Sequence, residues 1–361
     1  MSINLRPIAV RLARPDILFW TLPLMMILLV VGTVAQKDVG LYVAQRDYFA
    51  SFLIWFGPLP FPGGYTLLGI FFINLLAKFL LFSEWEWRKA GIILSHFGVL
   101  LLIIGGGLTA ISEKEGYIVI PRGSTVDIAE DYHQRELRVL KDGVPVFRLP
   151  HDDLRAGLII SDPALPWSVT IDTYCYNCAI TRRPESAQEN WTTPGKFMQL
   201  SAAALDPEDA QNLTGIEFTL AGKKYLTFDK FPKPPEIKAD GHTYTFILGR
   251  TQSRLPFTLT LDAFKREVHP GSEMAKSYRS DVTVTDGTAS WPASITMNEP
   301  LRYKGYTFYQ SSFDESGDVP FTVLSVVQNR GRLFPYTASL IMALGLALHL
   351  VLRLRERRAG T

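Results

Sequence analysis

The sequence lacks the charge of a nucleic-acid-binding protein and the residue patterns of a self-sufficient enzyme. Its formal net charge is only +2, from 37 Lys and Arg against 35 Asp and Glu. No basic stripe runs along the middle of the chain, so nucleic acid is not an expected partner. No nucleophile with an adjacent base, metal-ligand cluster or phosphate-binding loop is visible either. If the chain takes part in catalysis, we expect it to do so only as a subunit of a larger complex.

Cysteine is also scarce. The two cysteines, Cys175 and Cys178, are three positions apart, and Ala179 follows them where a c-type haem attachment site would have histidine. Three interpretations remain: a disulfide that staples a turn, a redox-active dithiol, or two unrelated thiols. The pair follows a strand-like segment and opens no obvious helix, which removes one usual cause of a reactive thiolate.

Long apolar runs, in contrast, are abundant. They occupy about residues 17–35, 65–82, 90–111 and 334–352, and each is close to the ~20 residues that an α-helix needs to cross a bilayer. They predict four transmembrane helices, the first of them a retained anchor and not a cleaved signal peptide. The predicted parts are a membrane region over residues 1–111, a separate domain over 112–333, and a last span with a basic tail over 334–361.

Basic residues flank these runs unevenly. They cluster at positions 6–14, 88–89 and 353–358, which lie on one side of the membrane if the four spans alternate. The positive-inside rule makes that side the cytoplasm. We therefore predict an inner (plasma) membrane protein with both termini in the cytoplasm and residues 112–333 in the periplasm or its equivalent. The segment Tyr48–Phe56 falls on the same outer side, and its amphiphilic character predicts that it lies on the membrane surface.

The region 112–333 has the pattern of an all-β domain. Short runs rich in β-branched and aromatic residues recur, for example at 117–120, 243–248 and 322–327. Turn signals such as Asp142-Gly143 and Asp286-Gly287 separate them. The pattern predicts a β-sandwich or a roll-like domain between the third and fourth transmembrane helices.

Three motifs in the second half of this domain resemble those of the ResB (CcsB) family. The family has an Arg-Ser dipeptide, then Met-Asn-x-Pro-Leu, then Gly-x-x-Phe-Tyr-Gln-Ser-Ser. This sequence has them in the same order, at residues 279–280, 297–301 and 305–312. The third apolar run also looks like that family, because a single histidine precedes its glycine-rich part.

The resemblance implies a membrane subunit of the system II pathway of cytochrome c maturation. Such a subunit helps to export or hold haem and to deliver it to apocytochrome c outside the cytoplasm. It works with a haem-handling membrane protein of the ResC or CcsA type, and the haem b involved is transient and shared with that partner. Two alternatives stay open: a scaffold or chaperone that never ligates haem, and an extracytoplasmic thiol-disulfide protein that uses Cys175 and Cys178 with a thioredoxin-like thiol reductant.

His96 is the first candidate site residue. It lies about seven residues into the third span, roughly 10 Å deep at 1.5 Å per residue. An ionisable residue inside a membrane marks a functional-site hypothesis, and neutral imidazole is an axial ligand for haem iron. The alternative is a histidine hydrogen-bonded inside the helix bundle. The family resemblance implies that His96 ligates a transmembrane haem, and haem iron is the only metal expected here. His349, at a similar depth in the fourth span, is a second candidate, with an interfacial histidine as the alternative.

The motif residues form the second candidate site. A polar and aromatic surface there is predicted to meet apocytochrome c or the partner subunit; its members are Arg279, Asn298, Tyr306, Tyr309, Gln310 and Ser311. The alternative is that these residues only pair strands and cap turns.

Overall fold

The computed structural model describes residues 6–271, 275–314 and 319–359, and it divides into two compact units. The first unit contains the described residues up to Lys114 together with those from Gln328 onward. The second unit is Glu115–Val327. Each unit has its own architecture.

The first unit is built from helices. These are α1 (Arg6–Leu12), α2 (Pro15–Val39), α3 (Leu41–Ala44), α4 (Gly64–Phe82), α5 (Ala90–Ser112) and α6 (Phe334–Ala359). A π-helical turn at Gln45–Phe49 and a small hairpin of β1 (Leu53–Phe56) and β2 (Leu59–Pro62) join α3 to α4. Within the described residues, α2, α4, α5 and α6 are long and apolar enough to cross a membrane. The prediction of four membrane helices is confirmed.

Two boundaries differ from the sequence-based ones. Helix α2 starts at Pro15, whose fixed φ suits a first helical turn, and it runs four residues past the predicted end at 35. Helix α6 continues to Ala359, so its basic residues extend the helix beyond the apolar run. The segment Tyr48–Phe56, predicted to lie on the membrane surface, passes from the π-helical turn into β1, where Ile54 pairs with Phe61.

Glycines at seven-residue intervals on α5 set the packing of α5 against α6. A Cβ atom at Gly91, Gly98 or Gly105 would collide with α6. The α6 groups concerned are the backbone of Gly345 and His349, Ala338 and Met342, and the side chain of Phe334. Because the α5 glycines have no side chains, the two helix backbones approach closely. This face of α5 is therefore fully used inside the chain.

A buried amide ties the start of the chain to α4. The Nδ2 atom of Asn74 donates to the carbonyl oxygens of Leu12 at 2.6 Å and of Arg14 at 2.9 Å. The carbonyl of Leu12 ends α1, and that of Arg14 precedes α2 and also accepts a hydrogen bond from the N–H of Ile17 at 3.3 Å. Asn74 thus joins α4 to the connection between α1 and α2, and only 8% of its surface is exposed.

The second unit is all-β, as predicted. The strands that follow α5 are β3 (Lys114–Pro121), β4 (Thr125–Lys141), β5 (Val144–Pro150), β6 (Ile159–Ile160), β7 (Val169–Cys175), β8 (Cys178–Arg182), β9 (Met198–Ala202), β10 (Gly215–Leu220), β11 (Lys223–Phe228), β12 (Glu236–Ala239), β13 (His242–Val268), β14 (Ala275–Asp286), β15 (Ala289–Thr296), β16 (Leu301–Tyr303), β17 (Tyr306–Asp314) and β18 (Phe321–Gln328).

Two long strands organise these elements. Strands β4 and β13 pair with each other and lie in the middle of a ten-stranded sheet with the order β15-β14-β13-β4-β3-β18-β17-β16, with β12 added to β13 and β5 added to β4. One core packs Leu137, Val139 and Phe246 of this sheet against a second sheet with the order β11-β10-β7-β6. A second core joins Leu259 of β13 with Phe308 of β17. Strand β13 therefore contributes to both cores, Phe246 to the first and Leu259 to the second.

Candidate functional site

His96 lies on an open face of α5. Its Nδ1 atom is 2.8 Å from the carbonyl oxygen of Ile92, one turn earlier, and the side chain is exposed. A carbonyl oxygen only accepts, so Nδ1 carries the proton of this hydrogen bond. In the neutral ring, the lone pair is then on Nε2, the atom available to a metal ion.

The direction of His96 follows from helix geometry. Gly91 and Gly98 both face α6. At 3.6 residues per turn, His96 is rotated by about 140° from Gly91 and by about 160° from Gly98 around the helix axis. His96 therefore points away from α6, to a side where the described part of the chain leaves it uncovered.

His349 occupies a different place. Its backbone packs against Gly91, on the face of α5 that meets α6. Its Nδ1 atom is buried and has no hydrogen-bond partner among the described residues. Since the two histidines belong to opposite sides of α5, the structure does not bring them together as a pair of ligands.

The motif residue Gln310 is part of a buried polar network. Its Oε1 atom accepts a hydrogen bond from Ser280 at 2.6 Å, and its Nε2 atom donates to Thr322 at 2.9 Å and to the carbonyl oxygen of Ser312 at 3.1 Å. Ser280 and Thr322 have no exposed surface. An unpaired buried polar group is costly. The hydrogen bonds within this network therefore explain the presence of Gln310 and of the serine of the Arg-Ser dipeptide without a partner protein.

The other motif residues divide into a packed tyrosine and exposed side chains. Tyr306 is half-buried, with its ring edge-on to Phe257. Arg279 is exposed and bonds to Asp281 at 2.6 Å and Ser294 at 2.9 Å. The remaining exposed members of the predicted surface are Asn298, Tyr309 and Ser311.

The two cysteines are joined in a disulfide at the turn between β7 and β8, with their Cα atoms 5.4 Å apart. Both are buried. Tyr176 lies inside this turn, and its hydroxyl donates to Asp209 while accepting a hydrogen bond from Arg135 at 2.8 Å. The disulfide turn is therefore bonded to a charged cluster in the interior of the β unit.

This interior cluster is centred on Arg135, which has no exposed surface. Its guanidinium donates to the carbonyl oxygens of Asp209 at 3.0 Å and of Asn212 at 3.1 Å, and it pairs with Asp229 at 3.4 Å. Burial alone would raise the pKa of Asp209, but hydrogen bonds from His133 and Tyr176 and the charge of Arg135 lower it to about 2. Burial, followed by the hydrogen bond to Asp209, raises the pKa of Tyr176.

Sequence patterns did not predict this cluster. Arg135 and Asp209 are 74 positions apart, and neither belongs to a motif. The only available signal was the charged run at residues 135–138 inside a strand pattern, and such a run is ordinarily a solvated face. Among the described residues, no group of three or more His, Cys, Asp and Glu side chains is arranged to hold a metal ion.

Two comparisons with known proteins confirm the family resemblance. The model of the ResB-like family matches residues 237–321, which include every member of the predicted motif surface. Protein NrfI of Wolinella succinogenes is 24% identical over 345 residues, covering 92% of this chain. The chain spans about a third of the length of that relative, 34%. His96, His349 and the cysteine pair lie outside the part that the family model matches.

Proposed function

We propose, from its relationship to the ResB-like family, that this chain is a membrane subunit of the system II cytochrome c maturation complex. The family match and the similarity to NrfI support a role in cytochrome c biogenesis. The finer proposal is that the subunit helps to export or hold haem and to deliver it to apocytochrome c outside the cytoplasm. The observation that carries it is the exposed His96, which lies on the face of α5 turned away from α6 and whose Nδ1 is already bonded to Ile92.

The environment of His96 fits one axial ligand of a shared haem b. Haem supplies an iron that binds a neutral imidazole nitrogen. The hydrogen bond from Nδ1 to Ile92 holds the ring and fixes the tautomer that leaves Nε2 free. Because His349 is on the other side of α5, it would not join His96 on one haem, and any second ligand would come from another chain. A haem-handling membrane protein of the ResC or CcsA type is the proposed source.

The proposed orientation rests on the basic clusters. Arg88, in the turn between α4 and α5, pairs with Glu356 near the end of α6 at 2.7 Å. The basic residues around that turn and those of the α6 tail are thus at one end of the membrane unit, and the positive-inside rule makes that end cytoplasmic. With this orientation, the protein is in the inner (plasma) membrane, and the β unit is in the periplasm.

The scaffold alternative is supported by the exposed motif residues. Arg279, Tyr309 and Ser311 are exposed and available to apocytochrome c or to the partner, and the Gln310 network links the strands β14, β17 and β18. The thiol-disulfide alternative is weakened by burial, because thiol exchange needs access to a sulfur atom, and Cys175 and Cys178 are 4% and 6% exposed.

Replacement of His96 by alanine tests the haem proposal. The wild-type and His96→Ala chains are purified in detergent after co-expression with the haem-handling partner, and their absorption spectra are compared. We expect the Soret and α bands of bound haem to be lost from His96→Ala, with both subunits still assembled, and to return when free imidazole is added.

His349→Ala is the matched control, because it removes a membrane histidine that does not share the face of His96. Its spectrum should keep the haem bands. An unchanged spectrum and undiminished cytochrome c output in His96→Ala would contradict the proposal and favour the scaffold alternative.

A further inference from the structure

The hairpin of β1 and β2, residues 53–62, presents large apolar side chains that the described chain does not cover. We call it the Trp55 hairpin. Phe52, just before it, is 69% exposed, Trp55 is 64% exposed and Leu59 is 68% exposed. In a loop surrounded by water, such a set would be unusual, since soluble surfaces seldom expose contiguous large apolar groups.

The uncharged stretch of sequence around the hairpin begins well before helix α4. Asp47 and Lys78 are the nearest charged residues on either side, and residues 48–77 contain no Asp, Glu, Lys, Arg or His. Helix α4 begins only at Gly64. The sixteen uncharged residues before it, 48–63, therefore belong to the hairpin and its approach, not to the membrane-crossing helix.

The contacts of the hairpin place it beside the membrane-crossing part of α2. Ile54 is buried in a cluster with Leu28 of α2 and Leu67 of α4. Leu28 is seven residues before the end of the apolar run at Ala35, or about 10 Å at 1.5 Å per residue. Leu67 is three residues, or about 5 Å along the helix axis, after Gly64, the first residue of α4. Both helices therefore place Ile54 below the edge of the hydrocarbon region.

The outer edge of β2 lacks N–H donors. Phe56 and Leu59 close the two-residue turn and form a hydrogen-bonded pair. In an antiparallel hairpin, hydrogen-bonded and non-hydrogen-bonded pairs alternate. The backbone groups of Trp55–Pro60 and Leu53–Pro62 therefore point outward. Proline has no N–H group. The two prolines of β2 therefore reduce the outward N–H groups of these pairs from four to two, those of Leu53 and Trp55. Fewer unpaired donors lower the cost of placing the hairpin in hydrocarbon.

We propose that the Trp55 hairpin is inserted into the bilayer leaflet at the C-terminal end of α2, with phospholipid acyl chains covering Phe52, Leu53, Trp55 and Leu59. The hairpin braces α2 against α4 on its inner face through Ile54, and its outer face is a lipid-binding surface. This inference requires only that α2 and α4 cross a membrane, and it does not depend on haem or on cytochrome c maturation.

Spin-label accessibility tests the proposal in the full-length chain reconstituted into phosphatidylcholine vesicles. Trp55→Cys and, separately, Leu59→Cys are labelled with a thiol-specific nitroxide, the native cysteines being oxidised as a disulfide. Leu340→Cys on α6, 62% exposed, is the lipid reference. Lys223→Cys, exposed on β11, is the water reference.

The measured quantity is the ratio of collisions with oxygen to collisions with a water-soluble nickel chelate. We expect this ratio at positions 55 and 59 to equal that at position 340 and to be several-fold higher than that at position 223. Labels at 55 and 59 that respond to nickel as the label at 223 does would overturn the proposal. So would labels shielded from both reagents, because protein and not lipid would then cover the hairpin. Two labelling sites on different strands guard against the loss of one variant by misfolding.

Discussion

Arg135 is a buried charged residue that needs several specific partners to compensate its charge. It is completely buried, and it is compensated by two carboxylates, a tyrosine hydroxyl and backbone carbonyls. Removal of one partner of a buried charge is more damaging than the loss of a surface pair, because the remaining charge stays out of water without compensation. Asp209 is the partner that also fixes Tyr176, so its carboxylate connects the buried arginine to the disulfide turn.

We predict that Asp209→Asn destabilises the β unit by about 3 kcal/mol at neutral pH. The folded pKa of Asp209 is lowered to about 2, so the stabilisation is fully present above the unfolded value of about 4 and is lost as the pH falls from about 4 to about 2. Thermal unfolding of the full chain in detergent should show a lower midpoint for the variant at pH 7, with the difference shrinking toward pH 2.

Asp240→Asn is the control for this prediction, because Asp240 is an exposed turn residue with φ +51°, a conformation that Asn also tolerates. It should unfold as the wild type does. A wild-type midpoint for Asp209→Asn at pH 7 would show that the buried cluster adjusts to the loss of the carboxylate.

At the scale of elements, α5 has two faces with different uses. The face with Gly91, Gly98 and Gly105 is filled by α6, whereas Gly106 and Gly107 have nothing within 4 Å of an added Cβ atom. Gly107 is rotated by only about 20° from His96 around the helix axis. The open face thus combines a candidate haem ligand with small residues that the chain does not need for its own packing.

We predict that Gly98→Leu separates α5 from α6, because the added side chain would overlap Ala338 and Met342. Gly107→Leu should leave the isolated chain intact. The measurement is the thermal aggregation midpoint of each purified variant in detergent, with Gly98→Leu expected to be clearly lower than the wild type.

The same pair of variants also separates packing inside the chain from contact with the partner. If the His96 face meets the haem-handling subunit, Gly107→Leu should assemble poorly with that subunit although it is stable alone. Equal midpoints for Gly98→Leu and the wild type would contradict the close approach of α5 and α6.

At the scale of the whole molecule, the cysteine pair distinguishes the proposed haem-handling function from the thiol-disulfide alternative. The disulfide closes a very short loop, so its removal should cost only about 2 kcal/mol. A structural staple and a redox centre therefore differ in what happens to cytochrome c output when both sulfurs are removed.

We predict that the double variant Cys175→Ser, Cys178→Ser is less stable by about 2 kcal/mol and still supports cytochrome c maturation. Thermal unfolding of the purified chain and the yield of haem-stained cytochrome c in cells are the two measurements. Wild-type stability combined with lost cytochrome c would contradict the staple interpretation and favour a thiol-disulfide function. Cys175→Ala, Cys178→Ala should behave like the serine pair, because neither can form a disulfide.

Much of the fold could be predicted from the sequence because its strongest signals are local. Runs of about twenty apolar residues indicate membrane-crossing helices, and the recurring β-branched segments of residues 115–327 favour strands. His96 was predicted for the same local reason, as an ionisable residue inside an apolar run. The order of the three motifs was enough to predict the ResB resemblance, since it is a property of the sequence itself.

The tertiary structure decided what depends on residues far apart in the chain. Only α6 shows that three of the α5 glycines are contact residues and that His96 faces away from His349. Only the pairing of β14, β17 and β18 shows that Gln310 is half-buried and bonded to the buried Ser280 and Thr322, although its motif predicted a surface. The Arg135 cluster joins side chains 74 and 94 positions apart. The physical reason is the same in each case: burial and charge compensation are set by packing partners, and no local pattern in the sequence specifies which partners will meet.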